Sequence, residues 1–219
     1  MAVFPVFLKL DGRPVLVVGA GPVAAGKLRP LVDAGARVTV VAPAVVGEIE
    51  EMAADVTIVR RPFDPGDVDG MWYVVAAAPP EINRAVARAA EPRCLFVNAV
   101  DDLESASAYA GAVVQKAGVT IAMSTDGEAP ALAGLMREAL EMLLPEDLDQ
   151  WMASAQNARR AWLAERVPMA ERRPMLLQAL NDLYERRRAA DEARAASSGK
   201  PAASRQEPTA SRDNQWQPL

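Results

Sequence analysis

The 219 residues are 51% hydrophobic, enough chain for one substantial core plus an accessory element, or for two small domains. With no histidine and the single cysteine Cys94, the chain lacks the parts of a Ser-His-Asp triad, a His-ligated zinc or haem, a Cys/His pair or a disulfide, so acid-base work falls to carboxylates, Lys or Tyr. Lys plus Arg number 24 against 29 Asp plus Glu; the net charge of -5 argues against a nucleic-acid binder, and an acidic ligand needs a local basic pocket.

The first ten residues are too short and too lightly charged for a signal peptide, and no apolar run approaches the ~20 residues of a membrane span. The expectation is a soluble, cytoplasmic protein. From residue 14 to 100, short β-branched runs (15–18, 38–41, 56–59, 73–76 and 95–100) alternate with Ala-rich amphipathic segments. That alternation predicts a parallel sheet with helices on its faces. Residues 22–34 read as a helix with Ala24, Leu28, Leu31 and Val32 on one face, opened by Pro22, ended by Gly35 and kinked at Pro30. Residues 81–90 form the next helix, with Ile82, Ala85, Val86 and Ala89 toward the sheet.

After Asp101 the pattern changes. Runs at 112–114 and 119–123 predict a hairpin whose loop is Gln115-Lys116-Ala117-Gly118. A helix follows from Pro130 to Pro145; Leu132, Leu135, Met136, Leu140, Met142 and Leu143 give it too much apolar surface for a lone exposed helix, and a second copy is the economical cover. Leu148, Trp151, Met152, Ala155 and Trp162 are helical in period, as are Leu176, Leu177, Leu180, Leu183 and Tyr184 after Pro174. Beyond Arg188 the composition predicts a disordered tail.

The strongest local signal is Val15-Leu16-Val17-Val18-Gly19-Ala20-Gly21-Pro22-Val23-Ala24, a strand running into Gly-x-Gly-x-x-Ala and then a helix. In a dinucleotide site Gly19 permits the tight turn, Gly21 lets backbone approach the pyrophosphate, small Ala24 lets helix and strand pack, and the helix N-terminus receives the anion. Three small residues also suit an ordinary tight turn, but the context on both sides favours a dinucleotide. The acid that grips the ribose is missing: the second strand ends in Val41-Ala42-Pro43, which leaves NAD and NADP undecided. Ligands of open parallel sheets bind beyond the carboxyl ends of the strands, where the run Leu95-Phe96-Val97-Asn98-Ala99-Val100 meets Asp101-Asp102. Two roles fit Asp101 equally, general base or turn cap, and Asn98 divides between loop geometry and ligand contact.

These segments, together with Phe4-Pro5-Val6-Phe7-Leu8, the stretch 34–43, Ala76-Ala77-Ala78, Asn83, Asn98-Ala99-Val100-Asp101, Ser124-Thr125-Asp126-Gly127 and Leu135-Met136-Arg137-Glu138, resemble the precorrin-2 dehydrogenase/sirohydrochlorin ferrochelatase family, also found as the N-terminal part of siroheme synthase. The resemblance covers about the first 145 residues. It implies an α/β, Rossmann-like parallel sheet (1–111), a small α/β dimerisation region (112–145) and a helical C-terminal unit (146–188) ahead of the tail (189–219). It implies NAD-dependent oxidation of precorrin-2 to sirohydrochlorin by a homodimer, then insertion of ferrous iron as a substrate in the bifunctional members. Asp101 would be catalytic. Gly19, Ala20, Gly21, Pro22, Val23, Ala42, Pro43 and Ala77 would hold NAD, and Asn98, Ser124, Lys116 and Arg137 the tetrapyrrole, with no resident metal. Arg60, Arg61 and Arg93 are further candidate cations for a polycarboxylate.

The chain departs from the family where many members carry Ser-Ser-Gly-Gly-Thr-Ser-Pro: here Asp126 and Glu128 stand in Ser124-Thr125-Asp126-Gly127-Glu128-Ala129-Pro130. Added acids disfavour a polycarboxylate, which weakens the chelatase reading more than the dehydrogenase reading. Both acids also suit the positive end of the helix that follows. Two alternatives stand beside the bifunctional enzyme: a dehydrogenase served by a separate chelatase, and a regulatory module that senses NAD and uses the 130–144 helix as an interaction surface.

Overall fold

The computed structural model describes residues 3–198, which divide into two units: 3–115 with 120–144, and 116–119 with 145–198. In the first unit five β-branched runs form the parallel strands β1 (Pro14–Val18), β2 (Arg37–Val41), β3 (Val56–Val59), β4 (Tyr73–Ala76) and β5 (Phe96–Ala99). Their order is β3-β2-β1-β4-β5. Val15 of the central strand lies opposite Val38 on one side and Tyr73 on the other, and Val18 opposite Val41 and Ala76.

Side chains alternate along a strand, so β1 must be apolar on both faces. Val15 and Val17 pack with Ala24, Leu28 and Leu31 of α1 (Pro22–Asp33) and Ile49 of α2 (Gly47–Glu50). Leu16 and Val18 pack on the other face with Val86, Ala89 and Ala90 of α3 (Pro80–Ala90). Complete burial of a side chain such as Leu28 contributes roughly 1.5–3 kcal/mol. Because α1 and α3 leave the sheet on opposite faces, the chain parts between β1 and β4 at their carboxyl ends. Pro30 stays inside α1, which continues to Asp33.

The same unit holds most of the hairpin of β6 (Ala112–Lys116) and β7 (Val119–Met123), followed by α4 (Pro130–Leu143). The hairpin loop is shorter than its composition suggests. Ala117 and Gly118 both take positive φ (50° and 79°), the backbone of a two-residue turn whose twist matches the strands, so Gln115 and Lys116 remain in β6. Of α4 only Ala133 is buried, while Leu132, Leu135, Met136, Met142 and Leu143 are exposed.

The second unit contains α5 (Leu148–Ala164) and α6 (Met169–Ser198), with Leu148 and Trp162 buried and Asp147 paired to Arg187 at 2.7 Å. The helix expected after Pro174 starts earlier, at Met169. Pro174 falls in its second turn, and the Arg172 guanidinium closes the entry by donating to Val167 O at 3.0 and 2.8 Å. The tail expected from 189 also begins as helix: α6 runs through to Ser198, its Ala-rich sequence supported by the Arg188–Glu192 pair one turn apart. The rest of that expected tail lies outside the described residues. Among those residues, no helix is long and apolar enough to cross a membrane.

Candidate active site

The turn after β1 is built by the sequence Gly19-Ala20-Gly21-Pro22. Gly19 has φ +101°, and a Cβ there would sit 2.2 Å from Ala77 O, so the protein itself demands glycine. Gly21 differs: a Cβ there would meet nothing within 4 Å. Space has been left in front of it by the protein. Gly21 is also the N-cap of α1, with no side chain capping the first turn, and Pro22 lacks an N–H, so the N–H groups of Val23 and Ala24 open the helix uncapped. Val23 is half exposed, whereas Ala24 is fully buried where helix meets strand. A helix start of this form, approached past a missing side chain, fits the pyrophosphate of a dinucleotide.

The loops at the strand ends are laced together. Gly19 N donates to Val41 O at 2.9 Å, Ala42 N to Val59 O at 3.2 Å, Val46 N to Ala20 O at 3.1 Å and Ala77 N to Val18 O at 2.8 Å. These bonds bring Gly19, Ala20, Ala42 and Ala77 to one rim, with Ala42 buried and Pro43 exposed beside it.

Across β4 from this turn, at the end of β5, Val100 N donates to Ala76 O at 2.9 Å and the chain then turns through Asp101, whose φ is +57°. Asp tolerates this left-handed conformation better than most residues, and it directs the exposed Asp101 to the rim. A cleft of about 450 Å³ opens there, lined by Ala78, Asn83, Arg84, Asp101, Asp102 and Glu104 among others. The two adjacent acids differ in work. Asp102 accepts from Ser105 N at 3.1 Å, and its hydrogen bonds to Ser105, helped by Arg84, hold its carboxyl below the usual carboxylate range. Turn capping therefore belongs to Asp102, which leaves the Asp101 carboxyl uncommitted at the cleft. Tyr73 is no rival base: burial pushes its phenol up to about 12.

Asn83, 2% exposed, braces the cleft by accepting from Ala78 N at 3.1 Å and donating to Val100 O at 3.5 Å. It thus ties the loop after β4 to the residue before Asp101. Asn83→Ala strands the partly buried Ala78 N–H and is expected to cost about 1–3 kcal/mol in urea denaturation, with weaker turnover from a displaced Asp101. Stability equal to the parent protein would contradict that role. Asn98 is also buried, and its amide donates to Ala108 O at 3.1 Å while Ser107 Oγ accepts from Val97 N at 2.9 Å. Asn98 straps the segment after Asp101 along β5.

The 124–129 loop closes on the same region: a Cβ on Gly127 (φ +81°) would lie 2.3 Å from a methyl of Leu103. Ser124 Oγ accepts from Asp126 N at 3.0 Å and Thr125 Oγ1 from Ala129 N at 3.2 Å, so both hydroxyls shape the loop, and Ser124 is exposed. Lys116 ends β6 at the hairpin tip, in the second unit. Arg137 is bound on its own helix by Glu141 at 2.8 Å. Arg60 is held by Glu50, Arg61 by Asp67 and Arg93 by Asp69, each at 2.5 Å. The expected arginines are thus engaged by acids, and the arginine lining the cleft is one that sequence reasoning passed over, Arg84. Its signal was position: the helix after β4 starts at the rim, and residue 84 lies on its face away from Val86.

A family model described as "Putative NAD(P)-binding" matches residues 6–112, a span that holds all five strands. The chain is 41% identical over 176 residues to siroheme synthase 1 of Aeromonas salmonicida, covering 79% of this chain and 38% of that protein; siroheme synthase 2 of Yersinia pestis gives 39%, covering 79% and 37%. The solved structure of SirC, precorrin-2 dehydrogenase, superposes with a TM-score of 0.67 at 26% identity, covering 83% of this chain and 92% of that one. In sequence the chain is similar to siroheme synthases, and in fold to the precorrin-2 dehydrogenase SirC. It spans little more than a third of the length of the siroheme synthases it matches.

Proposed function

We propose that this protein oxidises precorrin-2 to sirohydrochlorin with NAD as the oxidant, in the synthesis of sirohaem. The observation that carries the reading is the pairing of two features at the carboxyl ends of β1 and β5, on either side of β4: the open Gly21 helix start and the Asp101 cleft. The likeness to SirC across 92% of that chain supports it. Gly19, Ala20, Gly21, Pro22, Val23, Ala42, Pro43 and Ala77 would hold NAD, whose nicotinamide supplies a hydride acceptor.

Removing two hydrogens from the macrocycle as hydride and proton leaves the proton for the protein to take. Asp101 accepts it as a carboxylate, held at the cleft by its left-handed backbone and by Asn83 through Val100. Asn98 holds the Ser107–Ala108 segment along β5 and is a further proposed contact to the tetrapyrrole. Ser124 and Arg137 are the substrate contacts proposed from the loop and helix that follow, and Lys116 from the hairpin tip. Ferrous iron, as a second substrate, would meet Asp101 as acceptor of pyrrole protons. Exposed Asp126 and Glu128, in the loop that packs on Leu103, favour dehydrogenation alone. Adding ferrous iron to sirohydrochlorin with and without the protein tests this: no acceleration is expected, and a large one restores the bifunctional reading.

A second copy covers the apolar face of α4, where Leu132, Leu135, Met136, Met142 and Leu143 recur at helical spacing and stay exposed. Sedimentation equilibrium should return twice the chain mass; a monomer at micromolar concentration would contradict the dimer.

A further inference from the structure

We infer that Arg84 is the carboxylate anchor that orients the tetrapyrrole at Asp101, an inference that rests on the substrate class proposed above. The cleft residues are unequal in charge: Asp101, Asp102 and Glu104 are acids, and Arg84 is the cation among the residues that line it. Arg84 makes none of the ion pairs found among the described residues, whereas Arg60, Arg61, Arg93 and Arg137 are each bound by a carboxylate. Its Nε donates to Pro80 O at 3.3 Å, one turn back on α3, which fixes the stem and leaves the terminal nitrogens without a hydrogen-bond partner among the described residues. Asp102, the acid that feels Arg84, is already satisfied by Ser105.

A planar guanidinium fixed at its Nε offers a carboxylate a directional, charge-assisted contact. The three surrounding acids repel every other carboxylate of the substrate. The cleft therefore accepts a polycarboxylate in the pose that sets one acidic arm on Arg84, and that pose selects the edge of the macrocycle facing Asp101. Specificity arises here from one attraction set among repulsions.

The test is equilibrium titration of sirohydrochlorin, without NAD, into the parent protein and into Arg84→Ala and Arg84→Lys, alongside NAD titration and steady-state kinetics with precorrin-2. Arg84→Ala should weaken sirohydrochlorin binding and raise KM for precorrin-2 by about tenfold or more, as expected for loss of a hydrogen-bonded charge. NAD affinity should be unchanged, and Arg84→Lys should recover part of the loss because it keeps the charge without the fork. Unchanged sirohydrochlorin affinity in Arg84→Ala overturns the anchor, as does an equal loss of NAD affinity, which would mark a structural role. A parent protein that binds no sirohydrochlorin and does not turn over precorrin-2 overturns the substrate reading itself, and the anchor with it.

Discussion

Asp101→Asn is expected to slow precorrin-2 oxidation by about 10²–10⁴-fold while NAD still binds with the parent affinity, the loss typical of removing a positioned general base. The substitution keeps the shape of the side chain and removes its capacity to accept a proton. It also keeps the backbone: φ at Asp101 is +57°, a conformation that Asn adopts nearly as readily as Asp. Asp101→Ala is the less clean variant because Ala pays for the left-handed backbone as well. The neighbouring acid supplies the control. Asp102 is occupied in capping Ser105, so Asp102→Asn should loosen the turn and leave far more turnover than Asp101→Asn. Comparable losses from both substitutions, or full turnover by Asp101→Asn, would remove Asp101 from the chemistry.

The two turn glycines should separate stability from cofactor binding. Gly19→Ala puts a Cβ 2.2 Å from Ala77 O at φ +101°, and both the clash and the backbone strain act on the joint between β1 and β4. A loss of about 2–4 kcal/mol in urea denaturation is expected from overpacking and strain together. Gly21→Ala meets no protein atom within 4 Å and should fold with nearly parental stability. Its methyl enters the space assigned to the pyrophosphate, so NAD affinity should fall by about tenfold or more, the equivalent of losing one charge-assisted contact. Gly21→Ala with undiminished NAD affinity would contradict the assignment of that space.

Much of the fold was legible because its signals are local. The β-branched runs at 15–18, 38–41, 56–59 and 73–76 became strands with at most one residue added, since a strand buried on both faces must be apolar along its whole length. The apolar surplus of the 130–144 segment was equally plain and is seen as the exposed face of α4. Where expectation and structure part, backbone conformation decided the outcome. Ala117 adopts positive φ beside Gly118 and shortens the hairpin loop, and Arg172 secures a helix start ahead of Pro174.

The sequence singled out the turn glycines and Asp101, and through the resemblance Asn83, but not the contacts that join them. Asn83 bonds to Ala78 and Val100, Gly127 yields to Leu103, and Arg84 borders the same cleft as Asp101. Each relation joins residues that only the folded sheet brings together. Charge on its own does not rank the candidate cations: Arg60, Arg61 and Arg93 each answer an acid of their own surface, and for Asp67 the Arg61 guanidinium holds the carboxyl below its usual range.

The most direct measurement is anaerobic incubation of the purified protein with precorrin-2 and NAD, without metal, quantifying NADH and sirohydrochlorin in the same cuvette. Equal molar amounts of the two, absent when either substrate is withheld, are the expected result. A folded protein that binds NAD yet forms neither product, or sirohydrochlorin without matching NADH, would contradict an NAD-dependent precorrin-2 dehydrogenase.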